Sequence, residues 1–349
     1  MLLRSARSDD LAALLALAER AGAGLASLPA SEDSLARRLQ VVEQSFRGLV
    51  DRTEADYMFV LEGPQGELIG CSAMLAAAGL REPWYSFRMG LTVTACRELD
   101  IYRQHPTLFL VNDLTGSTAL CSFYLEHAWR RSLLGRQLSK ARLLFLAEHP
   151  ADFAERVIVE MRGVSDAEGN SPFWDSLGQH FFRMDFARAD HLTGIGQKSF
   201  IAEMMPRFPL YSCFLSEAAR EAIGRVHPES EAALAMHHEE GMQYQGYIDI
   251  FDGGATLEAP AGQIRAVRDS RQLLLATGTP GETAQDYLIY NRNRLDCRMI
   301  AARAREAAGT LVVSEQDAAR LGLRSASLVR AVPLAPPGEG QAIDPYLQG

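Results

Sequence analysis

Two strand patterns separated by one long helix pattern constrain the fold of this chain more than any other feature. The segments ALCSFYLE (119–126) and RVIVEMRG (156–163) are apolar runs typical of buried strands. Between them, residues 133–148 carry apolar side chains at helical spacing. Strand, helix and strand in this order predict a parallel crossover. We therefore expect an α/β protein built on a mixed α+β sheet.

The rest of the first 255 residues fits the same class. Before the crossover, the patterns predict a strand at 2–6, helices from Ser8 to Glu19 and from Ser31 to Phe46, a hairpin of 57–62 with 67–77, and an insertion at 79–116 that ends in turn residues. After it, they predict a helix from Ser171 ended by Gly178, an extended segment at 181–186, helices at 186–192, 197–205, 215–224 and 229–240, and a strand at 244–254.

The character of the chain changes at about Thr256, where short strands and Gly or Pro breaks replace the helices. Strands are expected at 272–278 and 287–290, and the end of the chain reads as strand, Ser-capped helix, turn and strand. This pattern is similar to six-stranded barrels of the double-psi type. We expect three parts: an α/β domain at 1–255, a small β-barrel at 256–336 and a polar tail at 337–349.

Composition excludes several classes of protein. A net charge of −9 without a basic block argues against a nucleic-acid partner. The N-terminus lacks a signal-peptide pattern and no apolar run reaches membrane-spanning length, so we expect a cytoplasmic protein without membrane contact. Five widely spaced cysteines favour buried thiols over disulfides or zinc. No group of residues has metal-ligand spacing, so we expect no metal site.

The loop before the crossover helix, within 129–143, carries a motif for binding phosphate. It resembles the pyrophosphate loop R-x-x-G-x-G of GNAT acyltransferases, with Arg130 and Gly135 in place and Leu133 where that family has its first glycine. Main-chain N–H groups at a helix N-terminus would bind the CoA diphosphate, with Arg136 beside them. A Cβ at Leu133 would crowd a position of positive φ, so we expect a distorted loop or a weaker grip. A solvated basic turn is the alternative.

A series of longer motifs resembles the arginine N-succinyltransferase family, in particular its beta-subunit type. They are GLASLP (24–29), REPWYSFR (81–88), PTLFLVNDLTG (106–116), VEMRG (159–163), SPFWDSLG (171–178), KSFIAEMMP (198–206), IGRVHP (223–228) and YIDIFDGG (247–254). The resemblance covers at least residues 1–255. It implies transfer of a succinyl group from succinyl-CoA to the α-amine of L-arginine, with succinyl-CoA as co-substrate and no permanently bound cofactor.

The resemblance also implies roles for particular residues. His227 matches the family's proton donor, and the following proline keeps its backbone extended. In the GNAT fold the strand before the loop separates from its parallel neighbour, and the pantetheine arm pairs with its free amides. The matching main-chain groups here are at Phe123, Tyr124 and Leu125, with Glu160 on the neighbouring strand.

The two substrates require opposite charges. The succinyl carboxylate calls for an arginine, for which Arg81, Arg88 and Arg162 are candidates. The guanidinium of the acceptor calls for carboxylates, and the candidates are Asp113, Glu203, Asp249 and Asp252. For each of these residues a solvated or capping role is the alternative.

Three other functions remain open from the sequence. The chain could use another acyl-CoA or another amine such as ornithine. It could also be a weakly active subunit of a paired complex, which would be either a homo-oligomer or a hetero-oligomer with a similar alpha subunit. It could also be a regulatory protein that binds an amino acid. Cys121 lies near the proposed CoA strand, but we expect a buried thiol facing away from it and direct attack by the amine.

Overall fold

The computed structural model describes residues 1–22, 25–130, 132–166, 169–195 and 203–335. Fifteen strands form one continuous sheet in the described part of the chain. They are β1 (Leu2–Ser5), β2 (Asp56–Glu62), β3 (Leu68–Leu75), β4 (Ser86–Cys96), β5 (Ile101–Val111), β6 (Thr118–Leu125), β7 (Arg156–Glu160), β8 (Leu210–Tyr211), β9 (Gln243–Ile248), β10 (Ala255–Pro260), β11 (Arg271–Thr277), β12 (Gln285–Tyr290), β13 (Arg298–Ala307), β14 (Thr310–Val313) and β15 (Leu328–Pro333).

Ten α-helices with bounds inside the described residues pack on this sheet or connect its strands, besides short 3-10 turns. They are α1 (Leu11–Ala21), α2 (Glu32–Phe46), α3 (Leu133–Glu148), α4 (Pro172–Ser176), α5 (Gly178–Phe182), α6 (Phe186–Gly194), α7 (Glu217–Ala222), α8 (Glu231–Glu239), α9 (Arg265–Arg268) and α10 (Glu315–Arg320). The helix expected at 197–205 falls largely outside the described residues, as does the tail at 337–349. No helix in the described ranges has the length and apolarity needed to cross a bilayer.

The predicted crossover is confirmed. Strands β6 and β7 pair in parallel, and α3 covers the sheet between them with the bounds that its periodicity predicted. Aromatic side chains from α2, β2 and α3 form the core under this crossover, where the rings of Phe46, Tyr57, Phe59 and Phe145 meet at 5.1–5.6 Å. Because a buried core of this size fixes α3 against β2 and β6, the N-terminus of α3 has a defined position at the end of β6.

The segment at 79–116 is a long antiparallel hairpin, β4 with β5, rather than an irregular insertion. Its outer part is exposed on both faces, so its sequence lacks the alternation that identifies a half-buried strand. Through β4 the hairpin joins β9, which pairs with β10, and β10 pairs with β7. The sheet that contains the crossover therefore continues through Pro260, past the boundary expected at 255.

Two expectations around the SPFWDSLG motif need correction. Ser171 does cap α4, accepting a bond from the Trp174 N–H, but Gly178 begins α5 instead of ending α4. A Cβ at Gly178 would lie 2.3 Å from the Trp174 ring, so close packing explains the glycine. The segment at 181–186, expected to be extended, ends α5, turns through Arg183 with φ of 49° and begins α6.

The C-terminal strands form a small closed barrel. The order β12, β15, β11, β14, β13 closes through a β12–β13 pairing, which makes a barrel of five strands instead of the expected six. The pair β11–β14 is parallel, and β13 also pairs with β1. The barrel is therefore joined to the sheet of the crossover by main-chain hydrogen bonds.

Candidate functional site

A cleft opens where β6 and β7 separate. The two strands pair from Thr118 opposite Val157 to Leu120 opposite Val159, and the pairing ends there although both strands continue. On its other side β6 remains paired with β3, with a bulge at Ser122, whose φ is 51°. The main-chain groups of β6 beyond Leu120 are therefore without a strand partner on the side of β7.

The loop that follows α1 covers one side of the cleft. Ser122 donates from its N–H to the Oγ of Ser27 at 2.9 Å and from its hydroxyl to the Ser27 carbonyl at 2.6 Å. Leu25, Ala26 and Ser27 line the cleft. The bulge at Ser122 therefore interrupts the regular strand pairing of β6 and also hydrogen-bonds to the loop that covers the cleft.

The N-terminus of α3 lies at the end of β6. The hydroxyl of Ser132 accepts from the Leu134 N–H, and the first turn of α3 contains no acidic residue. Leu133 is the first residue of α3 and has no positive φ, so the crowding expected from a Cβ at a position of positive φ does not arise at this residue. A Cβ on Gly135 would meet only one atom within 4 Å, at 3.9 Å on Leu125, so packing does not require a glycine there. This helix terminus has the dipole orientation that favours an anion.

Two arginines flank this terminus. Arg130 donates from Nε to the Leu125 carbonyl at 3.1 Å and pairs through Nη1 with Glu229 at 3.2 Å. Arg136 forms a bidentate pair with Glu239 at 2.6 and 2.7 Å. Arg130 therefore links the end of β6 to the segment that contains the predicted proton donor.

That segment positions His227 through its main chain and its ring. The His227 N–H donates to the Arg162 carbonyl at 2.8 Å, which fixes the residue beside the strand that forms the cleft. The ring Nδ1 accepts from the Glu229 N–H at 3.2 Å. Burial and the nearby Arg162 guanidinium lower the pKa of His227. The imidazole is therefore neutral at physiological pH and carries its proton on Nε2, available for donation.

An acidic pair lines the cleft at the end of β9. Asp249 accepts from the N–H groups of Phe251 and Asp252, and Asp252 accepts from those of Gly163 and Gly254. Burial raises the pKa of both carboxyls, and that of Asp252 is raised further by Asp249. Within the described residues neither carboxylate has an ion-paired lysine or arginine. A bound cation would restore their ionised form.

Other residues expected from the sequence fall into two groups. Phe123, Glu160 and Arg162 line the cleft, and Glu160 accepts from the Trp84 indole N–H at 3.0 Å. The remainder lie in other contacts: Tyr124 and Leu125 pair with β3, Arg81 pairs with Glu54, Arg88 pairs with Asp113 at 3.5 Å, Asp113 also accepts from Tyr247, and Glu203 is exposed.

Two cleft residues have chemistry that the sequence analysis did not single out. Arg142 of α3 and His237 of α8 are buried and line the cleft. Cys121 is also among the lining residues, and its sulfur contacts Arg38. Burial raises the pKa of the Cys121 thiol, so it remains protonated and is a poor nucleophile.

His237 should make the stability of the protein depend on pH. Burial, followed by the charge of Arg142, lowers its pKa from 6.5 to about 3. Below pH 6.5 the unfolded chain binds a proton that the native state excludes, so stability is lost on acidification by up to about 1.4 kcal/mol per pH unit. The free energy of unfolding, measured with urea, should fall between about pH 7 and about pH 5.5 in both proteins. In His237→Gln this fall should be smaller than in wild type by about 1 kcal/mol. An unchanged difference would contradict this origin of the pH dependence.

Comparison with known proteins gives one consistent result. The family model for the arginine N-succinyltransferase beta subunit matches residues 1–266. A Pseudomonas aeruginosa protein, arginine N-succinyltransferase subunit beta, is 56% identical over 96% of this chain and 98% of its own length. An arginine N-succinyltransferase of Escherichia coli is 43% identical over 96% of this chain and 98% of its own. The solved structure of arginine/ornithine succinyltransferase subunit AI from P. aeruginosa superimposes with a TM-score of 0.89 at 36% identity, covering 96% and 99% of the two chains.

Proposed function

Since this chain belongs to the arginine N-succinyltransferase family, and is therefore an acyltransferase that succinylates arginine, we propose that the cleft between β6 and β7 is its active site. The observation that supports this location best is the end of β6–β7 pairing at Leu120, directly before a helix N-terminus suited to a diphosphate. A strand that has left its parallel neighbour and a helix N-terminus at the end of that strand match the two halves of a CoA molecule.

In the proposed complex, the coenzyme binds as in GNAT enzymes. The pantetheine arm extends the sheet along β6 and hydrogen-bonds to main-chain groups near Phe123 and Tyr124. The groups on either side already have partners: the Cys121 carbonyl accepts from Arg142, the Ser122 N–H donates to Ser27, and the Leu125 carbonyl accepts from Arg130. The diphosphate lies at the N–H groups of α3, where Gly135 leaves room for it. Arg130 and Arg136 stand beside the diphosphate, and both are already held by carboxylates. The two arginines then balance the negative charges of Glu229 and Glu239 near the N-terminus of α3. They need not make all of the contacts with the phosphates.

The acidic pair fits the acceptor. L-Arginine carries a delocalised cation that forms paired hydrogen bonds with carboxylates. Asp249 and Asp252 lie in the cleft without an ion-paired cation in the described residues. We assign the guanidinium of the substrate to this pair, which leaves its α-amine free to approach the thioester.

The chemistry then requires stabilisation of the departing sulfur. The neutral α-amine attacks the thioester carbonyl carbon, the C–S bond breaks as the tetrahedral intermediate collapses, and the surplus proton of the amine nitrogen passes to the departing sulfur, which leaves the amide and the CoA thiol. His227 presents Nε2–H because its Nδ1 is occupied by the Glu229 N–H, so it can donate a hydrogen bond to the departing sulfur and stabilise its negative charge. The thiol of Cys121 is not needed, since no acyl-enzyme forms in direct transfer.

Thiol release by the purified protein tests this function. Succinyl-CoA with L-arginine should release CoA well above the rate of hydrolysis, and mass spectrometry should identify succinyl-arginine modified at its α-amine. L-Ornithine belongs in the same panel because the solved relative is described as an arginine/ornithine succinyltransferase. Thiol release that does not depend on either amino acid would reject the proposal.

The relatives' names also suggest a partner. Because the matching family and the P. aeruginosa relative are named as a beta subunit, we propose that the chain works in an oligomer with itself or with a similar alpha subunit. The five cysteines are free thiols, which is typical of a reducing compartment and supports a cytoplasmic location. The thiol-release assay should therefore be run with and without a companion subunit.

A further inference from the structure

The guanidinium of Arg142 is a buried positive charge at the wall of the cleft. Its side chain is inaccessible to solvent, and it donates only to neutral acceptors: the Ser139 carbonyl at 3.2 Å, the Ser139 hydroxyl at 3.1 Å and the Cys121 carbonyl at 3.4 Å. It lies over the Phe123 ring, 5.5 Å from the centroid. Burial lowers the pKa of Arg142 to about 10, so it is still cationic at neutral pH.

Other buried cations of this molecule are neutralised. Arg38, which is mostly buried and contacts the sulfur of Cys121, pairs with Asp56 at 2.6 Å. Lys140 and Arg265 both pair with Glu240 at 2.8 Å. Arg142 has no carboxylate within ion-pairing distance in the described part of the chain. A buried charge without a counter-ion is costly, and this one lines the site where an anionic ligand is expected.

We propose that Arg142 binds the terminal carboxylate of the succinyl group and thereby selects succinyl-CoA over CoA thioesters with neutral acyl chains. The inference rests on the proposed function and adds the residue that recognises the donor. Each terminal nitrogen of the guanidinium uses one N–H in the contacts with Ser139 and Cys121 and retains a second. Those remaining donors suit a carboxylate, which accepts bonds from arginine in pairs.

The position of Arg142 suits the geometry of the donor. Its bond to the Cys121 carbonyl places it at the point on β6 where pairing with β7 has just ended. The thioester would enter the cleft at this point, and a four-carbon acyl chain would extend past it along the wall that Arg142 and Phe123 form. Arg162, the sequence-predicted candidate, lies across the cleft, beside His227.

Butyryl-CoA is the decisive probe because it matches succinyl-CoA in chain length and replaces the carboxylate with a methyl group. We expect wild type to prefer succinyl-CoA, measured as the ratio of kcat/KM values with L-arginine. In Arg142→Gln, whose amide can still bond to Ser139, the ratio should fall by about 10²-fold or more. Turnover of butyryl-CoA should be retained, since that donor makes no use of the charge.

Arg142→Lys covers the case in which the glutamine variant does not fold. It keeps the charge but loses the planar fork, and its donor ratio should fall about tenfold. Arg38→Gln is the matched control: it removes a mostly buried arginine beside the same strand whose charge Asp56 already neutralises, so both donors should be affected equally.

Three results would overturn the assignment: no preference for succinyl-CoA in wild type, an unchanged ratio in Arg142→Lys, or a parallel fall with both donors in Arg142→Gln. Absence of any acyl transfer by wild type would instead reject the proposed function. The two failures are therefore distinguishable.

Discussion

Replacement of His227 by alanine is expected to lower kcat for succinyl transfer by about 10²-fold or more, with little change in the KM of either substrate. The departing sulfur then lacks the hydrogen bond from Nε2–H that stabilises its negative charge. The KM values should hold because His227 contacts the protein through its main-chain N–H and through Nδ1, and neither group is assigned to substrate binding. Steady-state thiol release at saturating L-arginine measures both parameters.

His227→Asn separates chemistry from structure. The His227 ring caps the turn at Pro228–Ser230 by accepting from the Glu229 N–H, and asparagine is a favourable residue for the same role. The asparagine variant should therefore retain wild-type stability but lose activity as completely as the alanine variant. If asparagine restored activity, His227 would be a capping residue and another group would have to stabilise the departing sulfur.

Most of the fold in the first half of the chain could be predicted because local pattern and tertiary structure agree there. The apolar spacing of α3 gave its bounds correctly, and a helix between two apolar strands implied the parallel pair. The β4–β5 hairpin was missed for the opposite reason. Its distal part is stabilised by strand pairing and buries little, so no hydrophobic alternation marks it.

The candidate site could be predicted only where a residue's role depends on the local chain. The anion site follows from a strand, a turn and a helix start, all within one segment. The environment of Arg142 depends instead on Cys121 and Phe123 of β6, and that of His237 on the packing of α8 against α3. Burial without a counter-ion is a property of the folded state, and no spacing in the sequence encodes it.

Charged residues in the resemblance motifs show the same limit. Arg88 and Asp113 were separate candidates for opposite ends of the substrates, yet the register of β4 with β9 brings them together beside Tyr247. Arg88 and Tyr247 are paired residues there, and Tyr247 is in turn opposite Thr256, which is opposite Glu160. This row of paired residues reaches the cleft at Glu160. We therefore expect Arg88, Asp113 and Tyr247 to stabilise the wall of the cleft without contacting the substrates.

Gly135→Glu is expected to separate stability from activity at the other end of the cleft. Stability should be unchanged or higher by up to about 1 kcal/mol, because glutamate is a better helix former than glycine and favours the first turn of a helix. The space around Gly135 admits a side chain, with one neighbouring atom within 4 Å of a Cβ. Thermal unfolding of the unliganded protein measures this part of the prediction.

The same substitution should reduce kcat/KM for succinyl-CoA by about 10²-fold or more. A carboxylate about 5 Å from a phosphate charge is repelled by about 3 kcal/mol at an effective dielectric constant of about 20. Most of the loss should appear in KM, and added salt should recover part of it because screening weakens the repulsion. Gly135→Gln is the matched control, since it has the same size without the charge and should lose much less. Equal losses in the two variants would mean that bulk blocks the site, and full activity of Gly135→Glu would place the diphosphate away from the N-terminus of α3.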